Sequence, residues 1–106
     1  MNYYIECNDK QYELKFNLER LKLIENSIKK PVLSVYIERQ GAFTIEEMEK
    51  IFLISLKAVG SDFFCSNKEA KDIFNAVIQQ ENGYRDINNY ISLRLQENCP
   101  FLFPKA

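Results

Sequence analysis

The chain has 106 residues, of which 46% are hydrophobic and 27% are charged, and its formal net charge at pH 7 is −1. This length accommodates one domain with a modest core and leaves no room for a separate catalytic domain. A charge so close to zero excludes the strongly basic surface with which proteins bind nucleic acid or anionic membranes, so we expect partners to be selected by shape and apolar contact.

The first residues, 1–4, lack the basic start and the long apolar stretch of a signal peptide. No apolar run approaches the length of a membrane span. We therefore expect a cytosolic protein with no membrane contact.

Catalytic and metal-binding patterns are missing from the sequence. There is no histidine, and the three cysteines, Cys7, Cys65 and Cys99, are too widely spaced for a zinc site. We expect buried free thiols. The three glycines fall at predicted helix boundaries instead of forming a phosphate-binding loop. We predict that the protein is not an enzyme and has no catalytic residues, cofactor or metal; a small enzyme using lysine or carboxylate chemistry is a weaker alternative.

The predicted elements begin with a β-hairpin. Residues 3–7 and 11–16 each alternate apolar with polar side chains, which is the period of a half-buried strand. A loop of two or four residues around Asn8 and Asp9 puts the apolar side chains of both segments on one face. Those side chains are Tyr3, Ile5, Cys7, Tyr12, Leu14 and Phe16. Because an isolated hairpin is marginal in water, this face should pack on helices or pair with further strands, either of this chain or of another copy.

Two short segments follow the hairpin. Residues 18–29 form an amphipathic helix that Asn17 caps and Pro31 ends. Residues 32–37 (VLSVYI) are ambiguous, because Val, Tyr and Ile favour a strand whereas Pro31 before them and Gly41 after them favour a short helix. We favour a helix or irregular structure there.

A long apolar helix is predicted over residues 45–59. Thr44 and Glu47 have the spacing of a capping box at its start. The segment carries more apolar residues than one helix face uses, with Ile54 on the far edge of the apolar stripe and Leu53 among polar residues. We expect the rest of the chain to wrap this helix; the alternative is that its surplus side chains also contact another protein.

Two further helices are predicted at residues 67–81 and 87–97. Ser66 and Glu69 repeat the spacing of a capping box before the first of them, and Asp86 can cap the second. The sequence thus predicts an α+β fold, a hairpin followed by four or so amphipathic helices.

The apolar residues without an obvious use inside the domain lie in three places. The domain covers residues 1–99, and the tail, 100–106, carries three large apolar side chains between two prolines. Because terminal segments are normally polar and loose, this tail either docks on its own domain or is offered to a partner. In the loop after the central helix, the adjacent aromatic residues Phe63 and Phe64 cannot both face inward. We expect partners to bind the surplus residues Leu53, Ile54, Phe63, Phe64, Phe101, Leu102 and Phe103.

The resemblance to a known family lies in residues 4–18 (YIECNDKQYELKFNL), the Leu-rich helix after them, and residues 44–52 (TIEEMEKIF). In this order they resemble the tail assembly chaperones of long-tailed phages and prophages of Gram-positive bacteria, over most of the chain. The resemblance implies a homo-oligomer that coats the tape-measure protein, recruits tail-tube protein and is absent from the mature virion. The alternative is a small phage- or mobile-element-encoded inhibitor or adaptor that binds one host protein through an apolar surface.

Overall fold

The fold begins with the predicted hairpin, within the residues 4–103 that the computed structural model describes. Strands β1 (Ile5–Cys7) and β2 (Lys10–Leu14) pair antiparallel, with Ile5 opposite Tyr12. This register confirms the shared apolar face for the strand residues that the structure describes. Tyr3, which the sequence also assigned to this face, lies outside them.

The hairpin loop has the shorter of the two expected lengths. Asn8 and Asp9 connect the strands with φ of 53° and 64°. Two-residue hairpin turns need this left-handed backbone, and Asn and Asp adopt it more readily than most residues. The second strand ends at Leu14 instead of Phe16. The backbone N–H of Phe16 donates to Asn98 Oδ1 at 2.9 Å. This N–H is therefore satisfied by a side chain near the end of the chain and not by a neighbouring strand.

The helix after this hairpin and the ambiguous segment behind it are both helical. In α1 (Leu18–Ile28), Asn17 Oδ1 accepts a hydrogen bond from a first-turn backbone N–H at 2.8 Å, which confirms the predicted cap. Helix α2 (Val32–Glu38) settles the alternative left by the sequence in favour of a helix. Its first N–H, that of Val32, donates to Glu25 Oε2 at 2.8 Å, so a side chain from α1 caps it.

The central helix, α3 (Ile45–Ser55), begins as predicted. Thr44 Oγ1 accepts from the N–H of Glu47 at 3.1 Å, and the N–H of Thr44 donates to Glu47 Oε1 at 2.9 Å. The carboxylate of Glu47 also pairs with Arg39, which lies just beyond α2. The capping box therefore ties the start of α3 to the preceding helix as well as satisfying its free backbone groups.

The prediction that this helix continues to residue 59 was wrong. The chain leaves α3 after Ser55 and extends as strand β3 (Leu56–Ala58), which pairs antiparallel with β2 and places Leu56 opposite Leu14. The hairpin alone would leave the second edge of β2 unpaired, and β3 fills it. Over so few residues the apolar pattern fits either a strand or a helix, so a distant strand edge decides the conformation.

The last two helices are joined by a short turn and contact each other. Helix α4 (Asn67–Ile78) ends earlier than expected and α5 (Gly83–Asn98) begins earlier. Asn82 turns the chain with φ of 63°, and a Cβ at Gly83 would lie 2.5 Å from a backbone oxygen of α4. The predicted cap, Asp86, lies instead inside the first turn of α5.

The core lies where α3 meets the apolar face of the sheet and the other helices. Helix α3 packs against α1, α4 and α5. Phe52 of α3 and Phe74 of α4 are fully buried and meet edge to face, with ring centroids 5.2 Å apart. The α+β class and a central, wrapped helix are thus confirmed. Across residues 4–103, no helix is both long and apolar enough to cross a bilayer.

Candidate protein-binding surfaces

Six of the seven residues predicted to bind partners belong to the two surfaces defined below, and Leu53 belongs to neither. Four of the seven, Leu53, Ile54, Leu102 and Phe103, are half-buried and pack partly against the core. The central helix therefore has fewer exposed apolar side chains to spare for a partner than its sequence suggested.

The first surface centres on Arg20 of α1 and is called here the Arg20 surface; it comprises Arg20, Ile54, Phe63 and Phe64. The guanidinium carbon lies 3.9 Å from the centroid of the Phe64 ring, which is cation–π geometry. Arg20 Nη1 also donates to the backbone oxygen of Ile54 at 3.2 Å. That oxygen belongs to the last turn of α3, whose carbonyls have no helical partner. Arg20 thus joins three separate segments of the chain.

The loop after β3 presents its two aromatics in opposite ways. Phe64 lies alongside β3, where it forms a bridge with Lys57, and its ring is half-buried under Arg20. The backbone N–H of Phe63 donates to Ser61 Oγ at 3.0 Å, which fixes the turn before it. Phe63 lies in the bend before Phe64, and it is 81% exposed. A ring so exposed on a hydrogen-bonded loop is available for contact with another protein.

The second surface is formed by the tail and is called here the tail surface; it comprises Tyr36, Phe101, Leu102 and Phe103. A 3₁₀ turn (Pro100–Leu102) follows α5 directly. The ring of Phe103 then meets Tyr36 of α2 edge to face, with centroids 5.4 Å apart. Leu102 is half-buried, whereas Phe101 is 61% exposed. The described part of the tail therefore docks on its own domain and still exposes one aromatic ring. Residues 104–106 of the predicted tail lie outside the part that the structure describes.

Tyr36 and its neighbour Ile37 are surface residues that the sequence analysis missed. The Tyr36 hydroxyl lies 2.8 Å from Ser92 Oγ, and Gln96 Nε2 donates to it at 3.0 Å. Ile37 is 63% exposed. The signal that could have identified Ile37 is helical periodicity, which turns this residue away from the buried side of α2.

A polar cluster lies where β2 meets α4. The hydroxyl of Tyr12 donates to Glu69 Oε2 at 3.3 Å. Burial, and then the Glu69 carboxylate, raise the pKa of the Cys65 thiol to about 11. Burial also raises the pKa of Cys99. These two thiols stay protonated near neutral pH, in which form they are poor nucleophiles.

The cysteines are free, as expected, but only Cys99 is fully buried; Cys7 and Cys65 are half-buried. Within residues 4–103, no group of three or more Cys, Asp or Glu side chains is placed to hold a metal ion. The arrangements that the structure does bring together are the two apolar surfaces, one with Phe63 and one with Phe101 at its most exposed point. Comparison of the chain with protein-family models, curated proteins and solved structures finds no match.

Proposed function

We propose that this protein is a non-catalytic tail assembly chaperone of a phage or prophage. It self-associates, coats the tape-measure protein and recruits tail-tube protein in the host cytosol, and it does not enter the mature virion. The observation that carries the proposal is the 81% exposure of Phe63 on a hydrogen-bonded loop beside Arg20. The order of hairpin and helices, which carries the sequence resemblance, supports it.

The composition of the Arg20 surface suits protein binding. Aromatic residues and arginine supply most of the residues on which binding energy concentrates at interfaces. Here Arg20 and Phe64 already hold each other in place, so little side-chain freedom is lost when a partner covers them. Phe63 then supplies a ring that can enter an apolar groove of the partner.

Coating a tape-measure protein calls for many weak contacts. A tape-measure protein is a long, largely helical chain that aggregates when its apolar faces are exposed. A chaperone has to cover it and later leave, so each contact should be modest. Many copies side by side bind tightly by avidity although each copy binds weakly. A second apolar surface on the same domain allows one surface to contact the tape measure and the other to contact the next copy.

Co-expression with the tape-measure protein tests the proposal. The wild-type chain should keep the tape measure in the supernatant and co-purify with it, and Phe63→Ser should lose both effects. The matched control is Ile45→Ser, because Ile45 is 56% exposed but lies at the opposite end of α3 from Ile54. Retention of the tape measure by Phe63→Ser would remove the Arg20 surface from the proposal. A monomer that captures one host protein would favour the inhibitor or adaptor instead.

A further inference from the structure

Residues 100–103 are less buried than Cys99, which precedes them. Cys99 is fully buried, and its backbone N–H donates to the oxygen of Leu95 at 2.8 Å. The 3₁₀ turn that follows contains no buried residue, and Phe103 beyond it is only half-buried. Segments with few buried apolar contacts are the first to open in a folded protein. We therefore treat residues 100–103 as a segment that can separate from the domain.

The site that the tail covers is built by the domain itself. The ring of Tyr36 is held through its hydroxyl, which lies 2.8 Å from Ser92 Oγ and accepts from Gln96 Nε2 at 3.0 Å. These bonds do not involve the tail. The ring is thus positioned to receive an aromatic side chain whether or not Phe103 is in place.

The closed tail leaves two large apolar side chains exposed that lie close to this contact along the chain. Ile37, next to Tyr36, is 63% exposed, and Phe101, two residues before Phe103, is 61% exposed. A second protein seated here would cover these side chains in addition to replacing the existing contact.

We propose that the tail exchanges between two copies of the chain. Residues 100–103 of one copy pack on Tyr36 of the other, and the second tail returns the contact. The occupant is a second copy because this chain's own tail is the segment that the structure places on Tyr36. The exchange recreates the same ring contact, so it costs little, and the burial of Ile37 and Phe101 favours the paired form. This proposal rests on the self-association that the proposed function includes.

The length of the tail defines the geometry of the pair. Four residues span at most about 14 Å, so a tail anchored at Cys99 reaches only a copy that already touches the same face. The two copies must therefore meet through α2 and α5, which places Ile37 and Phe101 at their contact.

Two full-length variants with complementary defects test the exchange. The tail variant is Leu102→Ser/Phe103→Ser, which keeps the Tyr36 site. The site variant is Tyr36→Ser, which keeps the tail. Circular dichroism establishes that both fold, and sedimentation equilibrium measures their association. Each variant alone lacks the ring contact both as a single copy and in the exchanged pair, so its association should stay within about threefold of wild type.

The equimolar mixture gives the decisive result. It should associate more tightly than either variant alone, because the intact tail of one copy fits the intact site of the other. Phe63→Ser should associate as wild type does. The proposal is overturned when the mixture is no tighter than its components, since the tail then acts only within its own chain.

The tape-measure assay, run on the same proteins, separates this inference from the proposed function. If the mixture associates more tightly than either variant but the wild type does not retain the tape measure, tail exchange is supported and only the chaperone proposal is overturned. If the wild type retains the tape measure but the mixture associates no more tightly than its components, only the exchange is overturned.

Discussion

Arg94 and Glu13 form a nearly buried ion pair, 81 positions apart in the chain, in which Arg94 Nη2 lies 2.9 Å from Glu13 Oε1. Arg94 Nε also donates to the backbone oxygen of Leu14 at 2.9 Å. On the other side, Lys57 Nζ lies 3.6 Å from Glu13 Oε2. This set of contacts joins α5 to β2 and β3, so a charged residue that interrupts an apolar helix face holds the last helix on the sheet.

Breaking this pair should destabilise the fold strongly. Arg94→Ala leaves the Glu13 carboxylate and the Leu14 oxygen short of a partner, and we expect a loss of about 3–5 kcal/mol in the free energy of unfolding. Arg94→Lys should recover only part of it, because a single ammonium cannot replace both donors. Urea denaturation measures both. The control is Lys68→Ala, which breaks an exposed pair and should cost under about 1 kcal/mol. Equal losses in Arg94→Ala and Lys68→Ala would contradict the role given to Arg94.

The cap of α3 gives a smaller effect. Thr44→Ala removes the side-chain acceptor of the Glu47 N–H, and the free energy of unfolding should fall by about 1 kcal/mol. Thr44→Ser keeps the hydroxyl and is the matched control. Thermal or urea unfolding of the three proteins checks this order. If Thr44→Ser lost as much as Thr44→Ala, the effect would come from packing of the methyl group and not from the cap.

The half-buried thiol of Cys65 should make the free energy of unfolding depend on pH in the alkaline range. The pKa of Cys65 is raised from 9.0 to about 11, so the unfolded chain releases this proton at lower pH than the folded chain. The folded state then binds more protons between these values, and stability falls as pH rises. The contribution is complete below pH 9 and is lost as pH approaches 11. The difference in urea midpoint between wild type and Cys65→Ala should therefore change across this interval. A constant difference from pH 8 to 11 would count against a raised pKa of the Cys65 thiol.

The hairpin was predictable because its determinants are local. Alternation over residues 5–14 and two residues that tolerate a left-handed backbone are enough to define the register of β1 and β2. The strand β3 was not predictable, because residues 56–58 continue the apolar pattern of α3 and their conformation depends on the free edge of β2. A local sequence pattern gives no information about a contact with a strand more than 40 positions earlier.

The candidate surfaces were predictable only in part, for the same reason. Phe63 was identified because two adjacent aromatics cannot both face inward, and it is exposed. The sequence could not show that Arg20 covers Phe64 or that Phe103 meets Tyr36, since each contact joins segments far apart in the chain. Ser66 Oγ accepts from the N–H of Glu69 as expected, but the Glu69 carboxylate accepts from Tyr12 instead of completing the capping box.

The turn between α4 and α5 should depend on the missing side chain of Gly83. A Cβ at this position would lie 2.5 Å from the backbone oxygen of Ile78 and 2.6 Å from that of Val77, and backbone atoms cannot move aside as a side chain can. We expect Gly83→Ala to lower the free energy of unfolding by about 1–3 kcal/mol, through displacement of the start of α5. The control is Ala76→Gly, an exposed position within α4, where the loss should be about 1 kcal/mol from helix propensity alone.

The readout that distinguishes displacement from a general loss of stability is hydrogen exchange. In Gly83→Ala, the amides of the first turns of α5 should exchange faster, and those of α3 should change only in proportion to global stability. The hydroxyl of Tyr84 donates to the backbone oxygen of Phe43 at 2.8 Å and thereby joins the start of α5 to the chain just before α3. Displacement of the start of α5 should weaken this hydrogen bond. Unchanged exchange in α5, with a stability equal to wild type, would show that the turn accommodates a methyl group.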